Sequence, residues 1–172
     1  GLGVGVGKWL RKPGAAVGIG GAWASGLAGL LTAKVHTPGS VLVIDHDDNR
    51  LQVAKGLGAT TVINSNDGKA VERVMQLTNQ VGVDVAMEAV GTPATFDICQ
   101  AIVAPGGHLA NIGVHGKPVE LHMEKLWDRN IAITTRLVDT VTTPRLLNVL
   151  QSGKLQPANM ITHSCTHHDV IR

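Results

Sequence analysis

The chain has 172 residues, of which 44% are hydrophobic and 16% are charged, and its formal net charge is +2. These values predict one globular domain and exclude a disordered or fibrous chain. The length is too short for two full domains, so we expect any two-domain function to be completed by another chain or to be absent. Scattered Lys and Arg residues and an aromatic content of 2% argue against nucleic acid or an acidic membrane as a partner.

Short apolar runs alternate with longer helical patterns along the chain. Predicted strands cover residues 15–20, 40–45, 60–63, 83–88, 108–113 and 131–136. Predicted helices cover residues 25–35, 47–56, 68–78, 93–103 and 143–151. Such alternation is typical of βαβ units, whose parallel sheet is covered by helices on both faces. The sequence therefore predicts an α/β fold: a doubly wound six-stranded parallel sheet of order 3-2-1-4-5-6 in three αβα layers.

The ends of the chain and its cysteines complete this picture. We expect residues 1–172 to form a single domain, with a leading helix over 1–12 and a loosely ordered, His-rich tail over 154–172. No segment reads as a signal peptide or as a membrane span. Two cysteines are too few for a disulfide framework, which favours a reducing, cytoplasmic location.

The turn after the first predicted strand is the expected ligand site, because doubly wound sheets bind ligands where the strand order reverses. Residues 20–26 read GGAWASG, so Gly21 and Gly26 occupy the outer positions of a G-x-G-x-x-G pattern. Trp23 replaces the middle glycine, whose role is to let the backbone approach a pyrophosphate. We therefore expect an anion at the helix N-terminus, bound more weakly because of Trp23.

An acidic residue follows at the spacing that ribose recognition requires. Asp45 ends the second predicted strand, 19 residues after Gly26. A carboxylate there can hold the ribose hydroxyls and repels a 2′-phosphate, which predicts NAD rather than NADP as the small-molecule ligand. The alternative is that Asp45 only caps or solvates a strand end.

A broader set of segments resembles the cofactor-binding domain of the zinc-containing alcohol dehydrogenase (medium-chain dehydrogenase/reductase) family, from about Lys12 to His163. The segments that carry the resemblance are 12–14 (KPG), 26–28 (GLA), 44–51 (IDHDDNRL), 57–60 (LGAT), 83–91 (VDVAMEAVG), 105–107 (PGG), 111–114 (NIGV) and 126–130 (LWDRN).

The resemblance implies a role for residues at four strand ends. Residues 21–26 would face the pyrophosphate, Asp45 and Arg50 would hold the adenosine ribose, and residues after the fourth and fifth strands would lie along the cofactor and its nicotinamide. Core packing at strand ends is the alternative for the last two groups. The expected cofactor-binding residues are Gly21, Ala22, Trp23, Ser25, Gly26, Asp45, Arg50, Ala89, Val90, Ile112, Gly113 and Val114.

In the family, the catalytic zinc ligands lie in a domain that precedes the cofactor domain, and this sequence has no counterpart of that segment. We therefore expect no zinc site and no alcohol oxidation by the chain alone, and we interpret it as a truncated or stand-alone NAD(H)-binding domain. His163, His167 and His168 lie near Cys165, and a His-rich tail is the favoured interpretation over a metal site.

Two other functions remain open. Ser25 lies at a strand-to-helix turn, the location of a hydrolase nucleophile, and Glu88 or Asp45 with His115 follow strands at the same edge. Ser25 could instead cap the helix. A non-catalytic dimerisation remnant is the third hypothesis, because the strand over 131–136 would be an open edge, and in the resembled family this edge pairs with its copy to form a homodimer.

Overall fold

Strands and helices alternate in the computed structural model, which describes residues 13–135, 141–161 and 164–166. The strands are β1 (Ala16–Gly20), β2 (Ser40–Asp45), β3 (Thr61–Asn64), β4 (Val83–Glu88), β5 (Val103–Asn111) and β6 (Ala132–Thr135). The helices are α1 (Ala24–Val35), α2 (Asp48–Gly56), α3 (Ala70–Leu77), α4 (Pro93–Ile102), α5 (Met123–Leu126) and α6 (Thr143–Gln151), and a 3₁₀ helix covers Pro157–Met160.

All six strands pair in parallel in the order β3-β2-β1-β4-β5-β6, which confirms the predicted doubly wound sheet. The chain adds β2 and β3 on one side of β1 and then returns to add β4 on the other side. Because the strands are parallel, the turns that follow β1, β2 and β4 open at the same edge of the sheet, around the end of β1.

Each face of the sheet carries its own hydrophobic core, and β2 contributes to both. Val41 and Val43 belong to the core beneath α1 and α2, whereas Leu42 and Ile44 belong to the core beneath α3 and α4. This alternation follows from the two-residue period of a strand. A strand buried on both faces reads as a continuous apolar run, which is why its bounds are visible in the sequence.

The fifth strand is longer than predicted. We expected Pro105, Gly106 and Gly107 to form a turn before a strand starting at His108, but β5 already begins at Val103. Its pairing with β4 shifts register between Val83 and Val85. The three residues therefore form an irregularity inside the strand, where Gly106 adopts a positive φ of 72°. Helix α5 was not predicted, because a single turn is too short to produce a periodic pattern.

The structure describes only residues 154–161 and 164–166 of the tail that was predicted to be loosely ordered over 154–172. Leu155 is buried in the core on the α1 face, and Met160 of the 3₁₀ helix packs against the same core. Two apolar side chains separated by polar residues anchor this segment, and they give no helical period in the sequence. The predicted leading helix over 1–12 lies outside the described residues. None of the described helices combines the length and apolar character needed to cross a bilayer.

Candidate functional site

The turn between β1 and α1 is closed by a contact between two backbones. The Gly21 N–H donates to the carbonyl oxygen of Ile44 (2.7 Å), and Gly21 adopts a φ of 107°, which favours glycine. A Cβ on Gly26 would overlap the carbonyl oxygen of Gly21. Both outer glycines of the pattern are therefore required, and they place the first turn of α1, with its unpaired N–H groups, against the end of β1.

Asp45 joins this turn to the next one. Its carboxylate accepts the N–H of Ala22 through Oδ2 (2.7 Å) and the N–H of Asp47 through Oδ1 (3.0 Å), and its side chain is only 4% exposed. The guanidinium of Arg50 lies 3.9 Å from Oδ1, and the imidazole of His46 lies 3.4 Å from it. Carboxylate oxygens accept more than one hydrogen bond, so this arrangement leaves acceptor capacity for hydroxyl groups in the crevice.

A cavity of about 490 Å³ opens between the turns that follow β1, β2 and β4. This volume lies in the range of small-molecule sites, about 300–1,000 Å³. Among the residues expected from the sequence, the cavity is lined by Gly21, Trp23, Ser25, Asp45, Arg50, Ala89 and Val90. The structure thus brings the predicted pyrophosphate turn, the ribose carboxylate and the first cofactor loop into one cavity.

The remaining predicted residues lie beside this cavity without lining it. Ala22 is buried and contributes its backbone N–H to Asp45, and Gly26 belongs to α1. Ile112, Gly113 and Val114 follow β5, and a Cβ on Gly91 would overlap the backbone of Val114. The loop after β5 therefore packs directly against the loop after β4.

Trp23 lies in the turn as the N-cap residue of α1, and its side chain lines the cavity. Its φ of −87° is one that any residue adopts, so this position does not need glycine. The side chain is exposed, and the guanidinium of Arg50 lies 4.2 Å from the ring centroid, a cation–π arrangement. The indole forms a wall of the cavity and of a neighbouring cavity of about 270 Å³.

Glu88 and His115 meet at the ends of β4 and β5. Glu88 is fully buried, and its Oε1 accepts the N–H groups of Val90 (3.0 Å) and Gly91 (2.8 Å). The Nε2 of His115 lies 3.4 Å from Oε2 of Glu88 and 2.7 Å from Oδ1 of Asn111.

Ser25 does not join this pair. It is the second residue of α1 and is exposed, and the N-cap position is Trp23, so Ser25 does not cap the helix as expected. Among the described residues, the hydrogen bonds of Asp45 and His115 lead to other groups. Burial, and then the charge of Glu88, raise the pKa of the neighbouring Cys99 thiol, which keeps that sulfur protonated. The crevice therefore presents neither a serine triad nor a thiolate.

Besides the apolar Ile44, Ala94 and Ile98, four polar residues line the cavity that were not predicted from the sequence: His46, Ser65, Thr92 and Thr95. They share one signal, because each lies within a few residues of a strand end or a helix start at the carboxyl edge. Thr92 also caps α4, since its hydroxyl accepts the N–H of Thr95 (3.4 Å). No fixed spacing links these positions to Gly21 or Asp45.

A zinc site does not fit the part of the chain that the structure describes, where no group of three or more His, Cys, Asp or Glu side chains could hold a metal ion. Cys165 is exposed there, whereas His163, His167 and His168 lie outside the described residues.

The fold and the crevice define a Rossmann-type nucleotide-binding domain. Residues 24–152 match the model of the family described as "Zinc-binding dehydrogenase", and the chain belongs to this family. An alcohol dehydrogenase of Cupriavidus necator is 31% identical over 150 residues, which are 85% of this chain and 41% of that protein. A sorbitol dehydrogenase of Bacillus subtilis is 33% identical over 152 residues, or 88% of this chain and 43% of that protein.

Solved structures show the same similarity. A zinc-dependent alcohol dehydrogenase 2 from Streptococcus pneumonia, in an apo form, aligns with a TM-score of 0.90 and 52% identity, over 93% of this chain and 47% of that chain. An alcohol dehydrogenase from Thermus sp. ATN1 aligns with a TM-score of 0.84 and 33% identity, over 90% and 45%. The chain thus spans less than half the length of these relatives.

The contact between Gly26 and Gly21 generates a test of the turn. We expect Gly26→Ala to lower the free energy of unfolding by about 1–3 kcal/mol, because the added methyl group must displace the backbone of Gly21. Gly56→Ala is the matched control: it lies in α2 with no atom within 4 Å of the added Cβ, so it should be neutral or stabilising. Urea unfolding measures both, and equal effects would contradict the close contact.

Proposed function

We propose that the chain is the NAD(H)-binding domain of a zinc alcohol dehydrogenase-like oxidoreductase. The observation that carries this proposal is the cavity at the carboxyl edge, with the nearly buried Asp45 carboxylate beside the glycine turn. The family match supports the same assignment. When bound, the nicotinamide ring supplies the chemistry, because it accepts or donates a hydride.

Each strand-end loop has a part in this proposal. Asp45 and Arg50 hold the adenosine ribose, the first turn of α1 holds the pyrophosphate, and Ala89 and Val90 form the wall opposite. The loop after β5, with Ile112, Gly113 and Val114, receives the nicotinamide half.

An alcohol or its carbonyl product is the proposed substrate class, because the similar proteins are named for alcohol, sorbitol and L-threonine. We further propose that the chain does not oxidise alcohols alone and that zinc ligands come from a segment other than the described ones. A cytoplasmic location is part of the proposal and is supported by two free cysteines.

Asp45 should determine the choice between the two dinucleotides. We expect calorimetric titration to show tighter binding of NAD than of NADP, because the carboxylate repels a 2′-phosphate. Asp45→Asn should reduce this preference by about tenfold, since it removes one charge beside the ribose. Asp128→Asn, in the turn after α5, is the charge-matched control and should leave the preference unchanged. The absence of heat with either dinucleotide at millimolar concentration would refute the proposed function.

Trp23 should weaken cofactor binding. We expect Trp23→Gly to increase the affinity for NAD by about tenfold, because the indole narrows the approach of the pyrophosphate to the turn. We expect this effect to exceed the loss of the cation–π contact between Trp23 and Arg50. Trp127→Gly removes another exposed indole outside the cavity and serves as the control in the same titration. Weaker binding by Trp23→Gly would show that the stacked indole and guanidinium support the ribose instead.

The edge strand supports a second proposal, a homodimer through residues 131–136. Within the described residues, β6 pairs with β5 along one side, and Ile133 and Trp127 expose apolar surface nearby. Arg136 lies outside the described residues.

Light scattering tests the homodimer. We expect the mass of a dimer for the wild type and of a monomer for Ile133→Lys, because a charge on an edge strand blocks pairing between strands. Val81→Lys places the same charge on an exposed apolar residue elsewhere and should stay dimeric. A monomeric wild type at high protein concentration would reject this interface.

A further inference from the structure

Glu88 is a buried carboxylate that the proposed function does not use. Its side chain is 0% exposed, yet Oε2 has no hydrogen-bond partner among the described residues. A buried polar oxygen without a hydrogen-bond partner is costly, so the groups packed against it bear on the position of the side chain. The imidazole of His115 lies beside it, with Nε2 3.4 Å from Oε2.

The proton on His115 can be placed from its other contact. Nε2 lies 2.7 Å from the amide oxygen of Asn111, which only accepts hydrogen bonds, so Nε2 carries a hydrogen. The Asn111 amide also donates to the carbonyl oxygen of Gly113 (3.3 Å), which fixes the orientation of that amide. The N–H of His115 therefore points to Asn111, and Oε2 of Glu88 lies 3.4 Å from Nε2 without accepting a hydrogen bond.

The two oxygens of Glu88 serve different loops. Oε1 accepts the N–H groups of Val90 and Gly91, and so fixes the turn after β4 on the adenosine side. Oε2 faces His115, which lies in the loop after β5, and the ring of Phe96 contacts His115 edge-on with centroids 5.9 Å apart. The backbone oxygen of Glu88 accepts the N–H groups of Ile112 (2.9 Å) and Gly113 (3.1 Å) in that second loop.

We propose that Glu88 is a positioning residue for the nicotinamide half of the site and acts through His115. The inference rests on the proposed function for its ligand, but the loop geometry it describes can be tested independently of ligand binding. The Oε2–His115 contact holds the segment of Ile112, Gly113 and Val114 against Gly91, where the room is so small that a Cβ on Gly113 would overlap Oε2.

Because the two oxygens of Glu88 contact different loops, a variant can disturb one of these contacts and keep the other. In Glu88→Gln we expect the side-chain carbonyl oxygen to face Val90 and Gly91 and to accept their backbone N–H groups. The opposite orientation would place the side-chain NH₂ group, which is a donor, against two other donors. In the expected orientation the NH₂ group lies beside His115, which removes the contact between the carboxylate oxygen and the ring. His115→Phe removes the same contact from the other side and retains an aromatic ring against Phe96. His122→Phe is the matched control, because this histidine lies near Glu124 beside α5.

Amide hydrogen exchange without ligand gives the first readout. We expect exchange at Ile112 and Gly113 to be about tenfold faster in Glu88→Gln and in His115→Phe, and exchange at Val90 and Gly91 to stay within about twofold. Unchanged exchange at Ile112 and Gly113 overturns the proposal, whether or not the chain binds a dinucleotide. If Glu88→Gln does not fold, His115→Phe alone decides this point.

Titration with NAD and with AMP gives the second readout, since AMP contains only the adenosine half. We expect both variants to lose about tenfold in affinity for NAD while keeping their affinity for AMP within about twofold. The double variant should lose no more than the stronger single variant, because one contact is removed twice. Equal losses for NAD and AMP, or multiplicative losses in the double variant, would overturn the proposal. Failure of the wild type to bind NAD would instead count against the proposed function, and hydrogen exchange would still decide this inference.

Discussion

The carboxylate of Asp45 is the constraint on which the crevice depends. It lies nearly buried at the end of β2 and accepts one N–H from the turn after β1 and one from the turn that begins α2. Glu88 has the matching position at the end of β4, on the other side of β1, where Oε1 accepts two N–H groups of the following turn. Two buried carboxylates therefore flank the glycine turn where the strand order reverses, and each holds one wall of the cavity in place.

This arrangement fixes the loops around the cavity. Four backbone N–H groups of these loops are paired with the two carboxylates, so the loops have defined positions. The close contact of Gly26 with Gly21 then brings the first turn of α1 to the centre of the edge. A crevice with a helix N-terminus on one side and a carboxylate with spare acceptor capacity on the other supports the proposed binding of a dinucleotide.

The sequence predicted the elements whose pattern is local and missed those that depend on distant contacts. The strand β2 has the predicted bounds, because a continuous apolar run flanked by polar residues is unambiguous. The register shift in β5 was missed, because residues 105–107 are turn formers that here serve a bulge against β4. Likewise, the spacing of Gly21, Gly26 and Asp45 located the crevice, and Glu88 and His115 were expected at the same edge of the sheet. Leu155 and Ser65 depend on tertiary packing that no local period records.

The central claim is that a dinucleotide binds in the crevice between the turns after β1, β2 and β4. Amide chemical-shift mapping during titration with NAD tests it most directly, because it reports the location of binding as well as its strength. If NAD binds in this crevice, the largest amide shifts occur at Gly21, Ala22, Asp45, Arg50 and Val90, and they saturate together. Shifts confined to residues around α3 and α5, away from the crevice, would contradict binding at this site. The absence of saturable shifts would contradict it as well.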